Sequence, residues 1–156
     1  MAQKKRRAMP TREELRIWRN YIETAEALRT RLDGRMQSES SLSSADYRVL
    51  LALSEADQRT LRSSELAELI GWQRSRLSHH LARMEKRGLV HRAPCPDDVH
   101  GINVQLTDRG EESFRHGSVP HLRDVHELFV DALTPEQLAQ VDEFTAALRR
   151  HLDLEP

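Results

Sequence analysis

The chain has 156 residues, 38% apolar and only 4% aromatic, and its 31% charged residues nearly cancel to a formal net charge of −1. That is enough for one domain with a modest core, and the single cysteine, Cys95, excludes an internal disulfide and suits a reducing compartment. The longest apolar stretch, residues 49–53, is far too short to cross a bilayer, and no apolar run follows the basic N-terminus, so a cytoplasmic protein without membrane partners is expected.

Residues 1–10 hold Lys4, Lys5, Arg6 and Arg7 and nothing to pack, which reads as a disordered basic tail, either solvated or an arm tracking DNA. Thr11 followed by Glu14 has the spacing of a capping box and opens a long helix. Leu15, Trp18, Ile22, Ala25, Leu28, Leu32 and Met36 keep helical spacing along it, so it needs a partner over its whole length, part of it another subunit. Residues 38–44 form a serine-rich break, after which Ser43 and Asp46 open a second helix carrying Leu50, Leu51 and Leu53. Ala56, Asp57 and Gln58 read as a turn, and residues 59–61 as a short extended piece able to add a third strand to a later sheet.

Residues 61–110 are the stretch around which the rest is arranged. A helix begins near Ser63 or Ser64, either of which can cap its first turn, and buries Leu66, Ala67 and Ile70. Gly71 ends it, because glycine takes a left-handed conformation at little steric cost. A second helix over residues 73–87 points Leu77, Leu81 and Met84 inward at i, i+4 and i+7. Its outward set is Arg74, Ser75, Arg76, Ser78, His79, His80 and Arg83, donors suited to phosphates and base edges, with no carboxylate before Glu85. Strands over 89–92 and 102–106 follow, joined by a polar loop holding Pro94, Pro96, Asp97, Asp98 and Gly101, and Ile102, Val104 and Leu106 form the packing face of the second. Between Trp72 and Arg92 six cations face Glu85 alone, whereas after residue 107 acids outnumber cations about two to one, so a polyanion would bind at one place only.

Thr107 and Asp108 cap a further helix with Glu111 and Glu112 in its first turn. Gly117-Ser118-Val119-Pro120 is expected to kink or break it before it resumes through Leu122, Val125, Leu128 and Phe129. Thr134, Pro135 and Gln137 start a last helix carrying Leu138, Val141, Phe144, Ala147, Leu148 and Leu152. These helices and the first carry more apolar surface than one small domain covers, which interleaving of two chains into a homodimer would bury.

The central stretch resembles the MarR family of winged-helix transcriptional regulators. The family's wing pattern, D-x-R-x-x-x-V-x-L-T-x-x-G, is matched by Asp98, Val104, Leu106, Thr107 and Gly110, preceded by the family-like runs LAELIG and EKRGLV. One position departs: His100 stands where the family has the wing arginine. The resemblance implies a mainly α fold, a winged helix-turn-helix over residues 39–107 with a two- or three-stranded sheet, and dimerisation helices over 11–38 and 108–156. It implies a repressor of transcription that binds a pseudo-palindromic double-stranded operator and is released by a small aromatic or phenolic ligand. The expected DNA-contacting residues are Ser63, Ser64, Gln73, Arg74, Ser75, Arg76, Ser78, His79, Arg83, Arg92, Asp98 and His100. Trp18, Tyr21 and Tyr47 are the candidate ligand pocket.

Other chemistries leave fainter traces. His79 and His80 precede no glutamate at metalloprotease spacing, no glycine-rich phosphate loop is present and Cys95 has no C-x-x-C partner, so neither an enzyme nor a cofactor or metal centre is expected. His116, His121 and His126 stand near Glu111, Glu112 and Glu127, but spacings of five do not stack on one helix face, so metal sensing is the weaker reading there. Cys95 in a solvent-exposed wing near Arg92 would suit a redox trigger, or be incidental. A winged-helix protein-interaction or RNA-binding module, using the basic helix as a charge patch, is the alternative to a DNA reader.

Overall fold

The computed structural model describes residues 9–154, so most of the basic tail lies outside the described residues. Helix α1 (Arg12–Ser40) opens on the capping box expected: Thr11 Oγ1 accepts from the Glu14 N–H at 3.1 Å, and the Glu14 carboxylate accepts from the Thr11 N–H at 2.6 Å. It spans 29 residues yet buries only Met36. Helix α2 (Ser44–Glu55) is capped the same way by Ser43 and Asp46, and buries Val49, Leu50, Ala52 and Leu53. After a single 3-10 turn, in which Gln58 and Arg59 take positive φ, strand β1 (Thr60–Arg62) forms where the extended piece was expected.

Helix α3 (Ser63–Leu69) corrects the capping expectation, since neither Ser63 nor Ser64 is the cap. The cap position is Arg62, whose N–H donates to the Glu65 carboxylate at 3.1 Å, so the reciprocal half of a capping box does the work alone. Gly71, at φ +68°, turns the chain into helix α4 (Arg74–Lys86). Strands β2 (Val90–Cys95) and β3 (Asp98–Leu106) are longer than expected, and the polar loop shrinks to Pro96 and Asp97, because Asp98 pairs with Cys95 and an irregularity over residues 99–101 precedes the pairing of Ile102 with Pro94. The antiparallel sheet has the order β1-β3-β2, with Leu61 and Arg92 on either side of Val104.

Helix α5 (Asp108–Val125) starts from Thr107, whose Oγ1 accepts from the Gly110 N–H at 3.0 Å. It runs unbroken through Gly117 and Pro120, against expectation. Gly117 serves contact instead: a Cβ there would sit 3.1 Å from a Leu42 methyl and 3.2 Å from Ser40 Cβ, so the missing side chain lets α5 approach the α1–α2 corner. The irregularity comes later, as a π turn over His126–Val130, before α6 (Pro135–His151) opens on the Thr134–Gln137 capping box with Pro135 at its first turn.

The core is a small apolar cluster joining α2, α3, α4 and the sheet, with Leu50, Leu53, Leu66, Leu77, Leu81, Met84, Val90 and Val104 at its centre. Truncating any of these leucines to alanine removes packing worth roughly 2–5 kcal/mol. Helix α6 contributes no buried residue to it. Ile102, expected on the packing face of β3, is 40% exposed, because the sheet outruns the helices beneath it.

Candidate nucleic-acid interface

Three elements carry the candidate residues: the start of α3, the outward face of α4, and the β2–β3 hairpin. Arg74, Ser75, Arg76, Ser78, His79 and Arg83 are exposed along α4, with Gln73 at its cap position. Ser63 and Ser64 are half-buried at the start of α3. Asp98 and His100 are exposed at the far end of the hairpin, where Asp98 Oδ1 accepts from the His100 N–H at 3.0 Å, so this carboxylate braces the backbone there.

The cations on this surface differ in freedom. Arg74 lies 3.9 Å from Glu68, with both side chains largely exposed, a contact worth little. Arg92 is held: its N–H donates to Glu85 Oε1 at 2.8 Å and its Nε to Oε2 at 2.9 Å. The Arg92 backbone and side-chain hydrogen bonds keep the Glu85 carboxyl below the usual range. Arg76 lays its guanidinium over the Trp72 ring, 4.3 Å from the centroid.

His80 does not belong to the outward set; it is 7% exposed. Its position, three residues after Leu77 and four before Met84, places it on the inward stripe, and the spacing alone carried that signal. His80 Nε2 lies 3.0 Å from Asp46 Oδ1, at ion-pair distance though short of a well-aligned hydrogen bond. Arg87 Nη1 donates to Asp46 Oδ2 at 2.7 Å, and the Ser43 N–H to the same oxygen at 2.9 Å. Burial pushes the Asp46 carboxyl up, but these partners outweigh it and hold the group well below the ordinary carboxylate range. Asp46 reads in sequence only as a capping residue; its second role needed the tertiary fold.

The three aromatics considered for a ligand pocket do not converge within one subunit. Trp18 is 58% exposed on α1, Tyr21 meets Phe144 of α6 edge-on at 5.1 Å, and Tyr47 of α2 packs on Phe114 at 5.2 Å and on His121 at 4.7 Å. Cys95, expected in a solvent-exposed wing, is buried. His116 turns its Nδ1 to the Glu112 carbonyl at 3.0 Å and His126 lies 3.2 Å from Asp131, while burial lowers the pKa of His121. Among the described residues no three metal-ligating side chains group together.

A helix-turn-helix whose second helix presents exposed cations and hydroxyls beside a two-stranded wing defines a winged-helix nucleic-acid-binding protein. Comparison with known proteins narrows the class. The model of the MarR family matches residues 40–98. The chain superposes on Sco3205 of Streptomyces coelicolor, a MarR family transcriptional regulator in complex with DNA, with a TM-score of 0.89 at 38% identity, covering 95% of this chain and 92% of that one. AbsC, a MarR family regulator of the same organism, gives a TM-score of 0.86 at 32% identity over 96% of this chain and 100% of that one. The transcriptional repressor MprA of Escherichia coli K12 is 27% identical over 107 residues, which is 69% of this chain but 60% of MprA. The chain belongs to the MarR family of transcriptional regulators.

Proposed function

We propose that this protein is a sequence-specific regulator of transcription, acting in the cytoplasm as a repressor and gripping duplex DNA with α4 in the major groove and the wing alongside. The observation that carries the reading is the outward face of α4, where Arg74, Ser75, Arg76, Ser78 and His79 stand exposed in one patch without an acid among them. Gln73, Arg83, Arg92, Asp98 and His100 flank that patch, with Ser63 and Ser64 beside it, and complete the proposed contact set. Sco3205, solved on DNA, supports the mode, and the name of MprA supports repression. No helix among the described residues is long and apolar enough to cross a membrane.

The active form in this proposal is a two-fold homodimer on a pseudo-palindromic operator, with its reading helices roughly 34 Å apart. Its support is the apolar surface left open by residues 11–38 and 108–156: Trp18, Val119 and Leu122 are each about 60% exposed. A cavity of about 860 Å³, lined by Tyr21, Leu28, Phe129 and Phe144 among others, opens between α1 and α6. Residues 39–107 form the DNA-binding unit. Release by a small aromatic or phenolic ligand belongs to the same proposal, and Tyr47, Phe114 and His121, clustered where α2 meets α5, offer ring faces to it. Titrating labelled duplexes of a preferred and a scrambled sequence at fixed salt tests the reading: a marked preference is expected, and equal affinities reject it. Light scattering that finds a monomer at micromolar concentration rejects the dimer.

A further inference from the structure

Trp72, Arg76 and His80 follow one another at intervals of four along one stripe of the turn and α4. Arg76 covers the face of the Trp72 indole, and the His80 ring meets the same indole edge-on, with centroids 5.4 Å apart and planes at 86°. On its other side His80 Nδ1 lies 2.9 Å from Arg83 Nη2. A guanidinium only donates, so Nδ1 accepts, and the imidazole proton sits on Nε2, facing the Asp46 carboxylate 3.0 Å away. Asp46 is itself fixed by Arg87 and the Ser43 N–H.

We infer that His80 is a positioning residue for the DNA-reading face: braced on Asp46, it aims Arg83 directly through Nδ1 and Arg76 indirectly through the Trp72 ring. The inference rests on the DNA-reading proposal above and names what gives that site its discrimination. An arginine free in solution has many rotamers to lose on binding and can meet many base edges; one held before contact loses fewer and meets fewer. An apolar residue at position 80 would supply neither the acceptor for Arg83 nor a donor toward Asp46. The polar ring on this inward stripe thus has its function in the two arginines it serves.

The test uses the full chain and two duplexes, one selected by the protein from a random-sequence pool and its scrambled counterpart, at fixed salt and pH. His80→Phe keeps an aromatic ring and removes both nitrogens. It is expected to lower the preference for the selected duplex by about tenfold while leaving scrambled-duplex affinity within about twofold, as loss of one well-aimed base contact does. His80→Asn, whose amide oxygen stands near the place of Nδ1, should recover part of that preference. In combination with Arg83→Ala, the loss from His80→Phe should shrink, because part of its effect passes through Arg83. Undiminished preference in His80→Phe, or losses that multiply in the double variant, overturns the inference. If His80→Phe does not fold, His80→Asn decides: a loss of preference as complete as that of Arg83→Ala overturns it. A wild type that does not distinguish the duplexes rejects the DNA-reading proposal and this inference with it, whereas discrimination untouched by substitution at position 80 rejects the inference alone.

Discussion

Arg87 Nη1 and Asp46 Oδ2 meet at 2.7 Å, binding the end of α4 to the start of α2 across 41 residues of sequence. Asp46 is buried and Arg87 is partly exposed, so the pair lies where water screens only one partner. Its carboxyl is held below its ordinary value in the folded chain, so it contributes stability that is fully present above the unfolded carboxyl pKa of about 3.9 and fades as pH falls below it. Asp46→Asn, which cannot gain that contribution, is expected to be less stable than wild type in urea at pH 7. The gap should narrow steadily between about pH 4 and pH 2. A gap that stays constant over that interval would show that the Asp46 charge contributes nothing.

The grip of Glu85 on Arg92 predicts the behaviour of the wing's basic strand. With its backbone N–H and its Nε both donating to one carboxylate, Arg92 is partly withheld from phosphates. Glu85→Gln keeps an acceptor for the Arg92 N–H but removes the charge, so binding to all sequences should strengthen and the salt slope should steepen by about one. Arg76→Ala should act differently, relaxing sequence preference at a cost of roughly 1–3 kcal/mol on the preferred duplex. Duplex titrations at several salt concentrations separate the two; an Arg76→Ala slope shallower by about one, with sequence preference intact, would make Arg76 a phosphate contact.

The junction between wing and α5 depends on a glycine. A Cβ on Gly110 would lie 2.0 Å from the Leu89 carbonyl oxygen, a backbone atom that cannot rotate away. That carbonyl also accepts from the Thr107 N–H at 3.2 Å and from Thr107 Oγ1 at 3.0 Å, so moving it disturbs the cap of α5 as well. Gly110→Ala should lose at least about 1–3 kcal/mol of unfolding free energy, the usual cost of overpacking. Urea denaturation reads it directly, and an unchanged midpoint would mean that α5 shifts freely at its start.

What the sequence disclosed were features set by neighbours within one turn or one strand. The capping boxes at Thr11, Ser43 and Thr134, the left-handed Gly71 and the buried faces of α3 and α4 all follow from local spacing, and all are present. What escaped depended on distant partners. Gly117 reads as a helix breaker until Leu42 and Ser40 are seen pressing against it. His80 reads as one of a pair of surface histidines, although its spacing from Leu77 and Met84 already set it inward; Asp46 is what lets a polar ring remain there. Tyr47 reads as a neighbour of Trp18 and Tyr21 because the path of α1 past α6, which carries Tyr21 to Phe144, is invisible in one dimension.

His100 occupies the wing position at which family members have an arginine, and the difference should be measurable as salt dependence. It is exposed, its N–H is held by Asp98, and the neighbouring Val99 is 96% exposed, so both side chains project into solvent. An arginine carries a fixed charge and five N–H donors in a planar fork that suits phosphates, whereas an imidazole offers at most two donors. His100→Arg should therefore bind preferred and scrambled duplexes alike more tightly and steepen the salt slope by about one. The comparison is wild type against His100→Arg and His100→Ala at several salt concentrations and one pH. His100→Ala should bind more weakly than wild type; if His100→Arg leaves both affinity and slope unchanged, position 100 does not reach the DNA.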